Sequence, residues 1–320
     1  MERTGRMTVP GEKTCSGPHV PLISFAILAY NQENYIEQAL ASGLEQSYPN
    51  LEVVVSDDAS TDGTWGRITC AAAGYSGPHK VKLNRNEVNL GIGGQVRKIA
   101  SLVSGEIIVL AGGDDVSKPE RVEVLAKAFS EHVNAMAVFS DVEEIVEHEG
   151  LVPGKKNLRD EGPVQLESLI AGGGGVGTGA AYAYRRQCFF WPDEFPDRLI
   201  SEDRILPLRA GLLGEVRYVS RPLVAYRRTV QSVGRSLQKT RKLAKFRLDH
   251  LEVLGAHLDH AHQDGLLEKS RYELLNNQLQ QMACRARRLK RHQKLVRIPG
   301  VGNIFARAYY RFFIHVKRTM

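Results

Sequence analysis

The sequence has few of the features that mark disulfide-rich, zinc-binding or membrane-spanning proteins. Its 320 residues include 4 cysteines, which stand far apart, with no CxxC pair and no Cys/His spacing typical of zinc. No run approaches about 18 apolar residues, so the sequence predicts no membrane span. Residues 1–21 are polar and lack the apolar stretch of a signal peptide, which predicts a mobile tail. Together these absences favour a reducing, cytoplasmic setting.

The common glycine-rich nucleotide loops are also missing. GIGG at 91–94 and AGGGGVGTG at 171–179 lack the Lys-Ser/Thr pair of a P-loop. GGGGVG does not open a helix directly after the first strand, as a dinucleotide fingerprint would. The sequence therefore argues against a nicotinamide-dependent dehydrogenase, and we interpret 171–179 as a flexible segment at the mouth of a site.

Charge is distributed unevenly along the chain. The net charge is +7, yet residues 221–320 hold 22 Lys and Arg against 6 Asp and Glu. The first 220 residues are correspondingly acidic, so the positive charge belongs to the C-terminal third rather than to the whole protein.

Short apolar runs alternate with amphipathic stretches in the first 141 residues. This order predicts an α/β fold with a mostly parallel, doubly wound, Rossmann-like sheet. Ser117 and Glu120 form the pattern of a capping box at the start of the fourth helix. The predicted strands are 22–29, 51–56, 79–84, 105–111 and 134–141, and the predicted helices are 34–46, 62–74, 93–103 and 120–132.

The alternation weakens after residue 142. A short helix is predicted at 164–170, a strand at 180–186, a helix at 201–214 and strand material at 215–228. From about 236 to 297 the pattern is helical, basic and rich in leucine.

Polar side chains follow each of the first four predicted strands. The carboxyl ends of parallel strands meet at one edge of a sheet, where such folds bind ligands. Two acidic pairs meeting there would repel each other, and a divalent cation with oxygen ligands would relieve the repulsion while bridging to phosphates. This indicates nucleoside diphosphate binding, although either pair alone suits a turn or a helix cap equally well. The residues are Tyr30 and Asn31, Asp57 and Asp58, Asn89 to Gly91, and Asp114 and Asp115.

Over roughly residues 22–235 the chain resembles family 2 glycosyltransferases of the GT-A fold. The segments that carry this resemblance are FAILAYNQENYIEQALASGLEQSYPNLEVVVSDDASTDGT, NEVNLGIGG, GEIIVLAGGDDVSKPERV, SEDRILPLRAG and YRRTVQSVG, in this order. The resemblance implies a nucleotide-sugar-binding half at 22–141 and an acceptor and catalytic half at 142–235. The helical basic region at 236–320 lies outside the match.

The resemblance also implies roles for individual residues. Asp203 would be the general base of an inverting transfer, and Asp114 and Asp115 would approach the ribose or sugar and a Mg²⁺ or Mn²⁺ ion on the diphosphate. The donor would be a nucleoside diphosphate sugar, with a UDP-sugar favoured. The other donor-binding positions implied are Tyr30, Asn31, Glu33, Asp57, Asp58, Asn89, Gly91, Arg227 and Arg228.

One position departs from the family pattern. Many members have a third acid two residues before Asp114, where this chain has Gly112. A second hypothesis therefore stays open at this point, namely a non-catalytic protein of the same fold that binds a nucleotide sugar or a polyanion.

The C-terminal residues mix cations with aromatic side chains. RARRLKRHQKLVRIPG is followed by VGNIFARAYYRFFIHVKR, a composition expected of a segment that lies on an anionic membrane surface. A solvated helical face with a packing helix is the alternative, and no recognised module favours nucleic acid. Peripheral membrane binding would suit a lipid-linked or other glycan acceptor.

Overall fold

The computed structural model describes residues 20–146, 150–153, 160–171, 177–193, 202–228 and 243–295. Nearly all of the predicted tail over 1–21, most of the glycine run, Ser201 and the aromatic C-terminal segment lie outside these residues.

The first half alternates strands and helices as the sequence predicts. Strands β1, β2 and β4 are mostly apolar and their positions are buried or half-buried, whereas β3 is more polar and more exposed. Helix α1 buries Ile36 and Leu40, four residues apart on one face. The elements are β1 Ile23–Ala29, α1 Ile36–Leu44, β2 Leu51–Asp57, α2 Thr64–Ala73, β3 Lys80–Arg85, α3 Gly91–Leu102 and β4 Ile107–Gly112.

The turn after β4 differs from the sequence-based prediction. Val116–Ser117 forms a short strand, β5, and helix α4 spans Arg121–Glu131 with no side-chain hydrogen bond at its N-cap Glu120. The predicted capping box is therefore wrong. Ser117 Oγ instead accepts a hydrogen bond from the Arg121 guanidinium, and its backbone N–H donates to Ser42 Oγ.

The second half adds strands to the far side of β4. Its elements are β6 Ala135–Val146, β7 Gly150–Pro153, β8 Gly162–Val164, α5 Leu166–Ala171, β9 Tyr182–Arg185, α6 Glu202–Leu213 and β10 Glu215–Arg227. The sheet order is β3-β2-β1-β4-β9-β6-β10-β5, with β7 on β6 and β8 on β10. Strands β1 to β4 pair in parallel, and β10 is parallel to β6.

Strand β9 interrupts the parallel set. It pairs antiparallel with both β4 and β6, so the strand predicted at 134–141 is not the direct neighbour of β4. The predicted α/β fold is confirmed, and β1 to β4 are parallel, but the sheet as a whole is mixed. Among the described strands, four pairings are parallel and five are antiparallel.

Apolar clusters cover the two faces of this sheet. One contains side chains of α1, α2 and α4 packed on β1, β2 and β4. The other contains α3, α5, α6 and two C-terminal helices, α7 Leu243–Gln263 and α8 Lys269–Leu295. Among the described residues, no helix combines the length and apolar character needed to cross a membrane.

Candidate functional site

The loops after β1 and β2 are joined by hydrogen bonds that involve several of the predicted donor-binding residues. Asn31 adopts φ 51°, its backbone N–H donates to Ser60 Oγ, and its Oδ1 accepts from the Thr61 N–H at 2.9 Å. Glu33 Oε2 accepts the Gly63 N–H at 2.8 Å, at the start of α2. These contacts fix the loop that follows Tyr30, whose side chain is 47% exposed at the end of β1.

The first acidic pair is satisfied by neighbouring protein groups. Asp57 is fully buried, accepts the Ser60 N–H and lies 3.3 Å from Arg85 Nε. Asp58 Oδ1 accepts the Leu90 N–H at 2.8 Å, and its Oδ2 accepts the Gly91 N–H at 2.9 Å. An anion at the first amides of a helix is favourable, so Asp58 stabilises the start of α3.

The segment after β3 lies beside this carboxylate. Asn89 Nδ2 donates to the Asp58 carbonyl at 3.3 Å, and Asn89 Oδ1 accepts the Gly91 N–H. Gly91 has φ +71°, a left-handed conformation that favours glycine. The ends of β1, β2 and β3 therefore meet at one edge of the sheet.

The second acidic pair is arranged differently. Asp115 Oδ2 and Asp114 Oδ1 lie so that a Cβ on residue 112 would be 2.8 Å from the first and 2.9 Å from the second. The two carboxylates therefore face the same side of Gly112. Burial raises the pKa of Asp114, and burial together with the charge of Asp114 raises the pKa of Asp115 to about 8.

Arg227, at the end of β10, holds this acidic turn. Its backbone N–H donates to Asp115 Oδ1 at 2.8 Å, and its Nε donates to the Asp114 carbonyl at 3.0 Å. Its guanidinium also bonds Gln38 Oε1 and lies 4.5 Å from the centre of the Tyr35 ring. Arg228 bonds Glu144 on β6 instead.

Tyr226 stands at the end of β10, next to Arg227, whose backbone N–H bonds Asp115. Burial, followed by the carboxylates of Asp115, Asp114 and Asp203, raises its pKa to about 12. The phenol therefore lies within the electrostatic reach of all three acids. The predicted base thus shares one region with the acidic turn, although β4 and α6 are some ninety residues apart in sequence.

Glu202 is the immediate neighbour of Asp203 at the start of α6. Burial and the charge of Asp203 raise its pKa to about 8, so Glu202 keeps a proton at neutral pH. Gly179, the last residue of the AGGGGVGTG stretch, packs against it: a Cβ at 179 would lie 2.4 Å from Glu202 Oε1. The absence of a side chain at 179 leaves room for this carboxyl group.

Sequence reasoning assigned no role to Arg121 and no individual role to Glu202, whereas the resemblance implied that Tyr226 belongs to a YRR segment that closes over the diphosphate. Tyr226 stands in the quoted YRR motif and Glu202 in SED, so their positions beside assigned residues were the available signal. Arg121 reads as an ordinary basic residue of an amphipathic helix, and only the fold reveals that it is 0% exposed.

The acidic turn suits a divalent cation bound together with a diphosphate. No group of three or more His, Cys, Asp or Glu side chains forms a metal cluster within the described ranges. Two converging carboxylates are sufficient for Mg²⁺, which takes one or two carboxylates and completes its shell with phosphate oxygens and water. The cation would also offset the burial that raises both pKa values and the charge of Asp114 that raises the pKa of Asp115 further.

Comparison with known proteins identifies the family. Residues 24–172 match the family model Glycosyl transferase family 2. An uncharacterized glycosyltransferase of Haemophilus influenzae is 31% identical over 129 residues, covering 40% of this chain and 39% of that protein. Abequosyltransferase RfbV of Salmonella typhimurium is 37% identical over 106 residues, covering 32% and 31% respectively. The chain thus spans about two fifths of the first relative and less of the second.

Solved structures show the same fold. S. aureus TarS 1–349 in complex with UDP-GlcNAc matches with a TM-score of 0.65 at 20% identity, covering 82% of this chain and 72% of that one. The mannosyltransferase PcManGT of Pyrobaculum calidifontis in complex with GDP-Man and Mn²⁺ matches with a TM-score of 0.57 at 18% identity, covering 94% and 83%. Through residues 24–172 the chain belongs to glycosyl transferase family 2, and its fold is that of the GT-A enzymes.

Proposed function

We propose that the protein is an inverting, metal-dependent glycosyltransferase. It moves a sugar from a nucleoside diphosphate sugar to a hydroxyl of a glycan or lipid-linked acceptor, in the synthesis of a cell-surface polysaccharide. The observation that carries the proposal is that the charges of Asp115, Asp114 and Asp203 all act on the Tyr226 phenol and raise its pKa, while the backbone of the next residue, Arg227, bonds Asp115. One site thus holds a candidate diphosphate-metal locus and a candidate base.

The donor side of the proposal rests on the sheet edge built by β1, β2 and β3. Tyr30 offers an exposed ring to a nucleobase, with Asn31, Glu33 and Asp58 on the loops around it. The solved TarS and PcManGT structures hold UDP-GlcNAc and GDP-Man, which supports a nucleotide-sugar donor, and we favour a UDP-sugar.

In the proposed reaction Asp203 accepts the proton of the acceptor hydroxyl as that oxygen attacks the anomeric carbon. The bond from this carbon to the phosphate oxygen breaks, and its electron pair leaves with the nucleoside diphosphate. A single displacement inverts the anomeric centre and needs no covalent enzyme intermediate. Glu202 keeps its own proton at neutral pH and therefore leaves the role of base to its neighbour.

Asp114 and Asp115 would hold Mg²⁺ or Mn²⁺, and the ion would stabilise the negative charge of the departing diphosphate. PcManGT was solved with Mn²⁺, which supports a divalent ion in this fold. Arg227 and Arg228 stay candidates for diphosphate contact. Arg228 would have to break its bond to Glu144 before it could contact the phosphate. Arg227 already bonds the Asp114 carbonyl and Gln38.

We further propose that the protein works at the cytoplasmic face of a membrane, held by its basic C-terminal region. The support is the excess of Lys and Arg after residue 221 and the aromatic residues interleaved with cations after 300.

Replacement of Asp203 by Asn tests the assignment of the base. The amide cannot take the acceptor proton, so we expect transfer to fall by about a hundredfold or more while donor affinity stays near the wild-type value. Thermal-shift titration with UDP-, GDP- and dTDP-sugars in the presence of Mn²⁺ identifies the donor, and product formation on candidate acceptors measures transfer.

Glu202→Gln is the matched control for this experiment. Because Glu202 is already neutral at pH 7, the isosteric amide should retain most of the transfer rate. Transfer at the wild-type rate by Asp203→Asn would show that the base is another residue. No metal-dependent thermal shift with any donor would overturn the proposed activity.

A further inference from the structure

Arg121 is a buried cation that the proposed reaction does not use. Its side chain is 0% exposed, although it stands at the start of α4, whose pattern is amphipathic. A buried guanidinium is costly unless its donors are satisfied and an opposite charge lies near. Burial lowers its pKa to about 9, and the charge of Asp115 opposes that shift.

The hydrogen bonds of Arg121 reach both flanks of the acidic turn. Nη1 donates to Ser117 Oγ at 2.8 Å, just after the turn, and Nη2 donates to the Leu110 carbonyl at 2.9 Å, just before it. Asp114 and Asp115 lie between these two anchors. The rigid planar fork of one guanidinium therefore spans the base of the turn.

The same side chain also binds the second half of the protein. Nη2 donates to the Ala180 carbonyl at 2.6 Å and lies 3.4 Å from the Tyr182 carbonyl, at the start of β9. Gly179, the residue before Ala180, packs against Glu202, which is the neighbour of the proposed base Asp203. Arg121 thus connects the acidic turn with the segment that contacts the start of α6.

We propose that Arg121 is a positioning residue for the metal-diphosphate locus. It holds the flanks of the turn together, so that Asp114 and Asp115 stay convergent on Gly112 despite their mutual repulsion. Through its bond to the Ala180 carbonyl, it also fixes the distance between this turn and Gly179, which packs against Glu202. The part that concerns metal and donor rests on the proposed function, whereas the part that concerns the shape of the turn does not.

Arg121→Lys separates position from charge, because an ammonium keeps the charge but lacks a planar fork that reaches both flanks. Ser117→Ala removes one anchor alone and is the milder variant. Arg209→Lys is the matched control, since Arg209 is also buried and bonds the Cys188 and Phe189 carbonyls and His257 on another part of the fold.

Amide hydrogen exchange, measured without added ligand, shows whether the Asp114–Asp115 turn keeps its structure. The reporters are the N–H groups of Gly113 and Ser117, which donate to the Leu28 carbonyl and to Ser42 Oγ. We expect their exchange to speed up about tenfold in Arg121→Lys and severalfold in Ser117→Ala, and to stay at the wild-type rate in Arg209→Lys. The proposal would be overturned if both amides exchanged at the wild-type rate in Ser117→Ala and also in Arg121→Lys. If Arg121→Lys does not fold, the result for Ser117→Ala decides alone.

Titration of UDP-sugar with and without Mn²⁺ measures the effect of these variants on metal-dependent donor binding. Loss of an outer-shell partner typically weakens metal binding by 10–100-fold, so we expect the gain in donor affinity given by Mn²⁺ to shrink by about tenfold in Arg121→Lys. Arg209→Lys should keep the full gain. If wild-type protein shows no gain with Mn²⁺, the proposed function fails, while the exchange rates still decide whether Arg121 shapes the turn.

Discussion

At the scale of single residues, the two acidic pairs look alike in sequence but have different environments. Asp57 accepts a hydrogen bond from the Ser60 N–H and pairs with Arg85, and Asp58 accepts hydrogen bonds from backbone amides at the start of α3. Asp114 and Asp115 converge on one side of Gly112, and their pKa values are raised. The sequence left open whether each pair is structural. The answer depends on which donors lie nearby, and those donors come from other segments.

Gly112→Ala tests whether Asp114 and Asp115 need a residue without a side chain at position 112 in order to lie close together. The new methyl group would lie 2.8–2.9 Å from two carboxylate oxygens, so at least one of them must move. Asp115 is tied to the Arg227 N–H, and its displacement breaks that bond. We expect Mn²⁺-dependent donor binding to weaken by about tenfold, measured by calorimetry.

Gly66→Ala is the control for this substitution. A Cβ at Gly66, inside α2, meets nothing within 4 Å, so alanine should leave donor binding unchanged and raise stability by up to about 1 kcal/mol. Equal donor binding by Gly112→Ala and wild type would contradict a role for the small residue.

At the scale of elements, β10 decides how the site is assembled. It pairs in parallel with β6 and antiparallel with β5, with Ala225 opposite Val116 and Val224 opposite Ser117. This pairing brings the end of β10, with Tyr226 and Arg227, to the acidic turn. The sequence predicted strand material at 215–228, but its pairing partners depend on long-range contacts that no local pattern encodes.

Helix α7 docks on α6 through a second buried arginine. Arg209 Nε donates to His257 Nε2 at 2.9 Å, and the other ring nitrogen lies 2.7 Å from the Val253 carbonyl. His257 therefore accepts at Nε2, as the neutral ring does. Burial is the largest cause and lowers the pKa of His257 to about 4. The backbone bond to Val253 opposes this shift, the charges of Arg209 and His260 add to it, and Asp193 opposes it least.

This shift predicts a loss of stability in acid. The unfolded histidine titrates near 6.5 and the folded one near 4, so protons bind the unfolded chain first as the pH falls. The contribution of the neutral ring is complete above pH 6.5, decreases below it, and amounts to about 3 kcal/mol across this window. His257→Gln cannot titrate and should lose about 2–3 kcal/mol less than wild type between pH 7 and pH 4.5.

Urea unfolding at both pH values measures this difference. An equal loss of unfolding free energy in wild type and His257→Gln would show that His257 does not titrate as its environment indicates.

At the scale of the whole molecule, the basic C-terminal region is partly integrated into the core. Leu254 and Leu258 of α7 and Leu275 of α8 are buried in the same apolar cluster as α3, α5 and α6. Arg285, Arg287 and Arg288 on α8 are exposed. The helical prediction from 236 to 297 is therefore confirmed where the structure describes it, over 243–295.

Deletion of residues 296–320 tests the proposed membrane contact without removing the buried leucines. Anionic lipid attracts clustered Lys and Arg, and interfacial aromatic residues add apolar contact. We expect binding to phosphatidylserine-containing liposomes in a flotation assay to fall by about tenfold or more, while melting temperature and donor binding stay at wild-type values. Unchanged liposome binding would refute the proposal, and neutral liposomes provide the control for charge.

The sequence by itself determined the order of the main strands and helices, the parallel arrangement of β1 to β4 and the edge where polar residues collect, because strand and helix periodicities and strand-end positions are local properties. The tertiary structure alone decided the insertion of β9, the different environments of the two acidic pairs, and the approach of Tyr226 and Arg121 to the acidic turn. Each of these depends on contacts between segments far apart in the chain. Burial, hydrogen-bond partners and pKa shifts arise only when such segments pack together.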